Sequence, residues 1–443
     1  MAKALSKVLK SKSNFELKEF VVKHQPYDLA EMVTALDFKE RIYFFSNVAP
    51  ETGAEIMENM EPEFQYRILD DVKDNVKISL LNHMSSDKVV DLFLAIHPYQ
   101  AGILMEYLQR DYQDKIKILM SYEANTAGSL ASVNYIGARK HWTIEHTLEH
   151  VRKVGQNADL VSYIYVIDTH GKLAGVVSIK EIILAQPTVK LEEIAKKDII
   201  SALAEQHQEQ VADILARYDL VAIPVVDNTK RMIGIINVDD LIDVIHEEAT
   251  EDIQKLGGSQ PLEETYFKNN VWDLFRKRIG WLLILFVAEA YTGNVLRHYE
   301  ETLDQVIALA FFIPLLIGTG GNSGTQTVTT LVRAMAIGEV EFKDILKVVR
   351  KEVSTGLLLG ISMGVVAFIR AEFLGVGFDI GSVVAITAIC IVLWASLVAA
   401  VMPLILHKLR VDPAVVSGPF IATLVDGTGL IIYFSMAKLL LNI

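Results

Sequence analysis

Apolar residues in the first part of the chain fall on a twelve-residue ruler. Its marks are Pro26, Phe38, Pro50, Pro62, Asp74, Ser86, Pro98 and Arg110. Six residues after each mark stand Met32, Phe44, Ile56, Ile68, Leu80, Leu92, Leu104 and Ile116, and the column ten after each mark, from Leu36 to Met120, is equally apolar. The column seven after the mark fails only at Lys117. Apolar columns three or four apart signal helix, and Pro or Asp at the mark signals a helix start. The spacing predicts short helices of roughly nine residues, stacked as a superhelix. Such a stack is a scaffold and says little about chemistry.

A second repeat follows at an offset of 59 residues. Ile164–Asp168 and Gly175–Ile182 in the first copy match Ile223–Asp227 and Gly234–Leu241 in the second. Each copy reads helix, apolar strand, polar turn, apolar strand, helix. The helices ahead of the strands are expected at Thr143–Lys153 and Gln208–Arg217. The pair resembles tandem CBS domains over residues 125–250. The family's nucleotide-contacting Asp, at the start of the last helix, falls on Asp240, and the first copy departs from it with Glu181.

Next comes a polar stretch, His246 to Asn270, which opens with Glu247, Glu248, Glu251 and Asp252 and is broken by Gly257-Gly258. A connecting helix is expected across 251–275, leading to Arg276-Lys277-Arg278. Beyond lie five long apolar segments, about 279–296, 305–336, 353–375, 381–407 and 414–441. Each is long enough to cross roughly 30 Å of hydrocarbon. The third has the shortest uncharged run, Val353 to Ile369 before Arg370. Basic clusters at 276–278, at Lys343 to Lys351 and at His407 to Arg410 fall on one side. By the positive-inside rule that side is cytoplasmic. The expected placement is a multi-pass protein of the cytoplasmic membrane, with residues 1–270 inside and the C-terminus outside. The lysine-rich start, Met1 to Phe15, has no apolar run of signal-peptide length, which fits a non-secreted N-terminus.

The fold class is therefore a multidomain membrane protein in four parts. These are an N-terminal α-superhelical repeat domain (1–124), α/β tandem CBS domains (125–250), a connecting helix (251–275) and a five-helix transmembrane α-domain (276–443). Composition agrees: 51% of the 443 residues are hydrophobic, which a soluble part joined to a membrane part explains. One cysteine, Cys390, excludes an internal disulfide framework and a Cys-based zinc site. The net charge is −13, and residues 1–270 carry all of it. That argues against nucleic acid as a partner, which requires a basic footprint, and permits cations.

Two places could carry chemistry. Asp426 stands in the middle of the last span among Ala422, Thr423, Gly427, Thr428 and Gly429. An ionised carboxylate there needs a partner or a watery path. It is a cation site in a pore or a carboxylate in a packing contact, and the absence of any Lys or Arg in mid-span weakens the ion-pair explanation. The second span carries Pro314 and Gly318 to Gln326, dense in Gly, hydroxyl and amide groups. Freed carbonyl and amide oxygens there suit a hard divalent cation, and a glycine-lined helix crossing is the other reading.

At this point the domain order and two motifs, PLLIGTGGNSGTQ at 314–326 and GPFIATLVDGTGL at 418–430, make the chain resemble the MgtE family of magnesium channels and transporters. The resemblance implies a homodimer with the ion path between subunits. It places the pore carboxylate on Asp426 and a second acidic position near the inner mouth on Asp412, with Asn322 and Ala422 completing the expected pore set. It also implies closure by intracellular Mg2+ bound between acidic cytosolic faces, at Asp91, Asp240, Asp243, Glu248, Glu251 and Asp252, with Asp91 matching the family's partner position for Asp240 and Asp243. ATP at the CBS pair is a further implied ligand. Glu289, a second intramembrane acid, lies outside both motifs and is either pore-lining or near the outer interface. No nucleophile or base pair in the spans suggests an enzyme. A transporter of Co2+ or Mn2+, or a Mg2+ or nucleotide sensor without transport, are the alternatives, since oxygen ligands discriminate poorly among such ions.

Overall fold

The computed structural model describes residues 2–155, 158, 160–262 and 266–443. They form two compact units, Met1–Ile245 and His246–Ile443. In the first unit a helix begins on every mark of the ruler: Pro26–Thr34, Phe38–Asn47, Pro50–Glu58, Pro62–Asp71, Asp74–Leu81, Ser86–Ala95, Pro98–Met105 and Arg110–Leu119. Proline opens four of them, at a position whose N–H would have no helical partner anyway. The column six after each mark is at most 4% exposed at all eight positions, so the apolar periodicity is the core itself. Two more helices, Ala2–Ser11 and Asn14–Val22, precede the ruler and add Leu5, Leu9 and Leu17 to that core.

The 59-residue repeat folds into two three-stranded sheets. In the first, Gly137–Arg139 runs parallel to Tyr163–Ile167, which pairs antiparallel with Leu173–Ser178. In the second the same roles fall to Ala202–Leu203, Ala222–Val226 and Met232–Asn237. The hairpins were legible as apolar runs; the outer strands of two or three residues are too short to show a period. Both hairpin turns close on an aspartate: Asp168 Oδ1 accepts from the N–H of His170 and Lys172 at 2.8 and 2.9 Å, and Asp227 Oδ1 accepts from Thr229 and Arg231 at 2.8 Å. Gly175 and Gly234 occupy equivalent positions, each covered by the segment that leads into the other copy. A Cβ there would stand 2.7 Å from Ala195 Cβ and 2.4 Å from Ser132 O.

The connecting segment differs from the expected 251–275 helix. One continuous helix, Val238–Leu256, grows out of the last strand and stops at Gly257-Gly258. Gly258 has φ +74°, and a Cβ there would stand 2.7 Å from the Trp281 ring, so only glycine fits. The next helix starts at Val271, where Asn270 Oδ1 accepts from the N–H of Trp272 and Asp273. Among the described residues, five helices are long and apolar enough to cross a membrane: Val271–His298, Ile307–Ala336, Phe342–Phe373, Phe378–Lys408 and Gly418–Leu441. They are called the first to fifth membrane helices below. The second opens with a 3-10 segment, Ile307–Phe312, before Pro314. Gly356, Gly360 and Gly364 line one side of the third, and a Cβ at Gly364 would lie 2.8 Å from Ala385 O of the fourth. Small residues at four-residue spacing let these backbones touch, a packing suited to lipid, where there is no hydrophobic drive between helices. Tyr433, fully buried on the fifth helix, donates its hydroxyl to Leu309 O at 2.9 Å.

Candidate functional site

The two motif segments meet. A Cβ at Gly320 would lie 2.5 Å from Ile391 and 2.8 Å from Val425, and one at Gly324 would lie 2.6 Å from Ile421. The glycines thus draw the second membrane helix onto the fifth. Between them, a Cβ at Gly321 would lie 3.3 Å from Ala422 Cβ and 3.9 Å from Asp426 Oδ1. Asn322 is exposed next to this contact, and Ala422 and Asp426 are half-buried. Asp426, Ala422 and the Gly321-Asn322 pair therefore share one locality. At the other end of the fifth helix, Ser417 caps it by accepting from Phe420 N at 3.3 Å and also accepts from Trp281 Nε1 at 3.1 Å.

Glu289 is neither isolated nor at the outer end of its helix. Its helix reaches the fifth at Gly427, where a Cβ would fall 2.5 Å from the Tyr291 ring and 3.3 Å from Thr292 Oγ1. The Glu289 carboxylate is within electrostatic reach of Asp426.

Asp412 is placed elsewhere, in the turn ahead of the fifth helix. Its Oδ1 accepts from Ala414 N at 2.8 Å, and its Oδ2 accepts from Lys255 Nζ at 2.6 Å. Lys255 also donates to Glu251, one turn back on its own helix. Burial works against the Lys255 charge, but the hydrogen bonds to Asp412 and Glu251 outweigh it and lift the ammonium above the ordinary lysine range. Neighbouring Asp252 has its carboxyl pushed up, first by burial and then by Asp412, with Lys255 opposing. Three of the acids read from the sequence thus converge, together with a lysine that sequence reasoning did not single out.

The first unit repeats this arrangement. Lys88, on the Ser86–Ala95 helix, lies 3.8 Å from Asp87 and 3.9 Å from Asp240. Burial would lower its pKa, but the charges of Asp87, Asp240, Asp91 and Asp243 raise it on balance. Ser86 Oγ, fully buried, donates to Ser132 Oγ at 3.2 Å and accepts from Val133 N at 2.8 Å, which fixes this helix against the segment that bridges to Ile235 of the second sheet. Beside Lys88 opens a cavity of about 940 Å³ lined by Glu58, Asp87, Lys88, Asn237 and Asp240 among others. Asn237 is buried, and its Oδ1 has no hydrogen-bond partner among the described residues. Glu248, half-buried, and Asp243, exposed, share the Val238–Leu256 helix with these groups.

The position equivalent to Asp240 in the first copy, Glu181, has a different setting. The N–H and the hydroxyl of Ser178 both donate to Glu181 Oε2 at 2.8 Å, and the backbone bond above all holds its carboxyl below the usual range. Glu181 borders a cleft of about 200 Å³ lined by Tyr163, Tyr165, Val176, Lys196 and Pro224. An aromatic and apolar floor with two acids, Glu181 and Asp198, and one base, Lys196, lies here. The Asp240 side is mostly polar, with several carboxylates around Lys88.

Comparison with known proteins follows the same division. A family model described as the MgtE intracellular N domain matches residues 24–125, CBS domain models match 127–187 and 191–247, and a model described as a divalent cation transporter, MgtE, matches 313–436. The magnesium transporter MgtE of Thermus thermophilus is 34% identical over 445 aligned positions, covering 100% of this chain and 99% of that protein. The chain belongs to the MgtE family. The magnesium transporter MgtE of Bacillus subtilis is 31% identical over 93% of this chain and 91% of its own length. A crystal structure of the cytosolic domain of the Mg2+ channel MgtE in complex with ATP covers 55% of this chain and 100% of its own, at 29% identity and a TM-score of 0.51. A crystal structure of the soluble part of a magnesium transporter covers 56% of this chain and 98% of its own, at 26% identity and a TM-score of 0.53. MgtE membership, the CBS pair and the five candidate transmembrane helices make this a multi-pass membrane transporter of the divalent-cation class.

Proposed function

We propose that this MgtE-family chain carries Mg2+ across the cytoplasmic membrane as a homodimer, with its first 270 residues inside and its C-terminus outside. The observation that carries the reading is the meeting of Gly321, Ala422 and Asp426 in mid-membrane, with no basic partner for Asp426 among the described residues. An unpaired carboxylate at that depth is costly and marks an ion path. Carboxylate, carbonyl and amide oxygens are the donors a hard divalent cation takes while it keeps part of its water shell.

Control from the cytosol belongs to the same proposal. Among the described residues no three side chains of His, Cys, Asp or Glu are grouped closely enough to hold a metal ion. Mg2+ does not need such a set, because it usually keeps several waters and binds through one or two carboxylates. The cavity beside Lys88 suits a hydrated ion of that kind, with Asp240 and the unpartnered Asn237 Oδ1 as oxygen donors. Bound Mg2+ would favour the compact, closed arrangement, and by linkage loss of its ligands would favour the open one. For ATP we favour the Glu181 cleft over Asp240: Tyr163 and Tyr165 offer a stacking surface, Glu181 can accept from sugar hydroxyls, and Lys196 can meet phosphate, which the carboxylates around Asp240 would repel.

The test is uptake by liposomes carrying the full-length protein, with Mg2+, Co2+, Mn2+ and Ca2+ compared. Asp426→Asn is expected to cut Mg2+ uptake at least about a hundredfold, the scale of losing a several-kcal/mol ion contact, while the protein elutes at its wild-type size. Wild-type uptake by that variant removes Asp426 from the path. Faster Co2+ or Mn2+ uptake reassigns the substrate, and no uptake of any ion leaves the sensor reading.

A further inference from the structure

The first membrane helix brings more than hydrophobic surface to the fifth. Glu289 and Thr292 are three residues apart and are neighbours on one helical face. That face reaches the fifth helix at Gly427, the residue after Asp426, where Thr292 Oγ1 lies 3.3 Å from the position a Cβ would take. Thr292 is 6% exposed, and its hydroxyl has no partner among the described residues. A helical threonine commonly returns its proton to the carbonyl four residues back, as Thr319, Thr330 and Thr428 do here. Thr292 does not, and its hydroxyl is left directed at the fifth helix beside Asp426. Glu289 is exposed on the single chain and, like Asp426, has no hydrogen-bond or ion-pair partner among the described residues. A carboxylate at that depth cannot face hydrocarbon, so the surface at Glu289 borders water or another protein chain. Two like charges on neighbouring carboxylates repel, and a cation placed between them relieves that repulsion.

We propose that Glu289 and Thr292 join Asp426 in one cation site, and that Glu289 sets its preference for divalent over monovalent ions. The inference rests on the reading of Asp426 as pore-lining. Each added carboxylate attracts a doubly charged ion twice as strongly as a singly charged one at the same distance, so the second acid widens the gap between Mg2+ and Na+. The Thr292 hydroxyl adds a neutral oxygen that favours a partly hydrated ion without adding charge.

The experiment measures Mg2+ and Na+ flux through the full-length protein in liposomes. Glu289→Gln is expected to raise the half-saturating Mg2+ concentration about tenfold and to lower the Mg2+ to Na+ flux ratio. Glu289→Asp should recover most of both, and Thr292→Val should raise half-saturation about threefold. Asp426→Asn separates the two levels: if it leaves flux intact, the pore reading itself fails. If Asp426→Asn abolishes flux while Glu289→Gln keeps wild-type half-saturation and flux ratio, only the present inference is overturned. Should Glu289→Gln not assemble, Glu289→Cys in a Cys390→Ala background can be modified after folding with carboxylate-bearing or neutral methanethiosulfonates. Equal behaviour of the two adducts would also overturn the proposal.

Discussion

Two kinds of acidic locality occur in this molecule. Around Lys88 and around Lys255 several carboxylates share an internal ammonium. At Asp426 and Glu289 two carboxylates lie within electrostatic reach without one among the described residues. In the first kind the lysine already supplies the positive charge, so the cluster holds its shape without a metal, and an arriving ion must compete. In the second the surroundings are less polar and the need for a cation is greater, yet the chain provides none. A built-in counter-ion marks a place where charge is managed for structure or control. Under the proposed function, its absence where charge is most costly is what leaves room for a mobile ion.

The sharpest way to break that contrast is to put an ammonium where there is none. Glu289→Lys should pair with Asp426 and reduce Mg2+ flux at least about a hundredfold, the effect of supplying a fixed ion pair in a low-dielectric site. Flux at the wild-type rate would mean that Asp426 does not depend on a mobile cation. Removing the lysine at the other kind of site should have a smaller effect. Lys255→Met leaves Asp412, Glu251 and Asp252 unneutralised and should cost about 1–2 kcal/mol, between the values for exposed and buried pairs. In thermal unfolding without divalent ions this is a drop of a few degrees, which Mg2+ should restore and NaCl at equal ionic strength should not. An unchanged midpoint would show that the Lys255 pair contributes no stability. The smallest effect is expected at Lys88. Lys88→Met should lower the Mg2+ concentration needed for half-maximal protection of the full-length protein from trypsin by about fivefold, roughly 1 kcal/mol. A higher requirement would mean that Lys88 assists the ion rather than competing with it.

Much of the architecture was legible because it rests on local repetition. The helix starts at Pro26 through Arg110 coincide with the twelve-residue marks, and the strands at 163–167 and 222–226 lie on the apolar runs. Asp426 could be picked out because a charge in an apolar span is a local anomaly. What stayed hidden depended on side chains distant in sequence. Lys88 looks like an ordinary helix-surface lysine until the fold brings Asp240 within 3.9 Å. Lys255 meets Asp412 across 157 residues of sequence. Whether Glu289 lines a path or sits near the outer surface depended on the register between the first and fifth membrane helices, which only the contact at Gly427 reveals. The connecting helix begins earlier than residue 251 because Val238 onward runs on from the last CBS strand as one helix, and it ends at the Gly257-Gly258 break that the sequence shows.

The twelve-residue ruler also limits how this N-terminal domain can change in length. Each helix starts in phase with the one before, and the fully apolar column faces inward at all eight marks. Deleting one residue inside a helix rotates everything after it by about 100° about the helix axis and swings buried positions toward water. Deleting or duplicating a whole repeat, such as Pro50–Glu61, keeps every later side chain in register and only shortens or lengthens the stack. Length variants of this domain that still fold should therefore differ from one another by whole repeats, and single-residue indels should survive only in the short turns between helices.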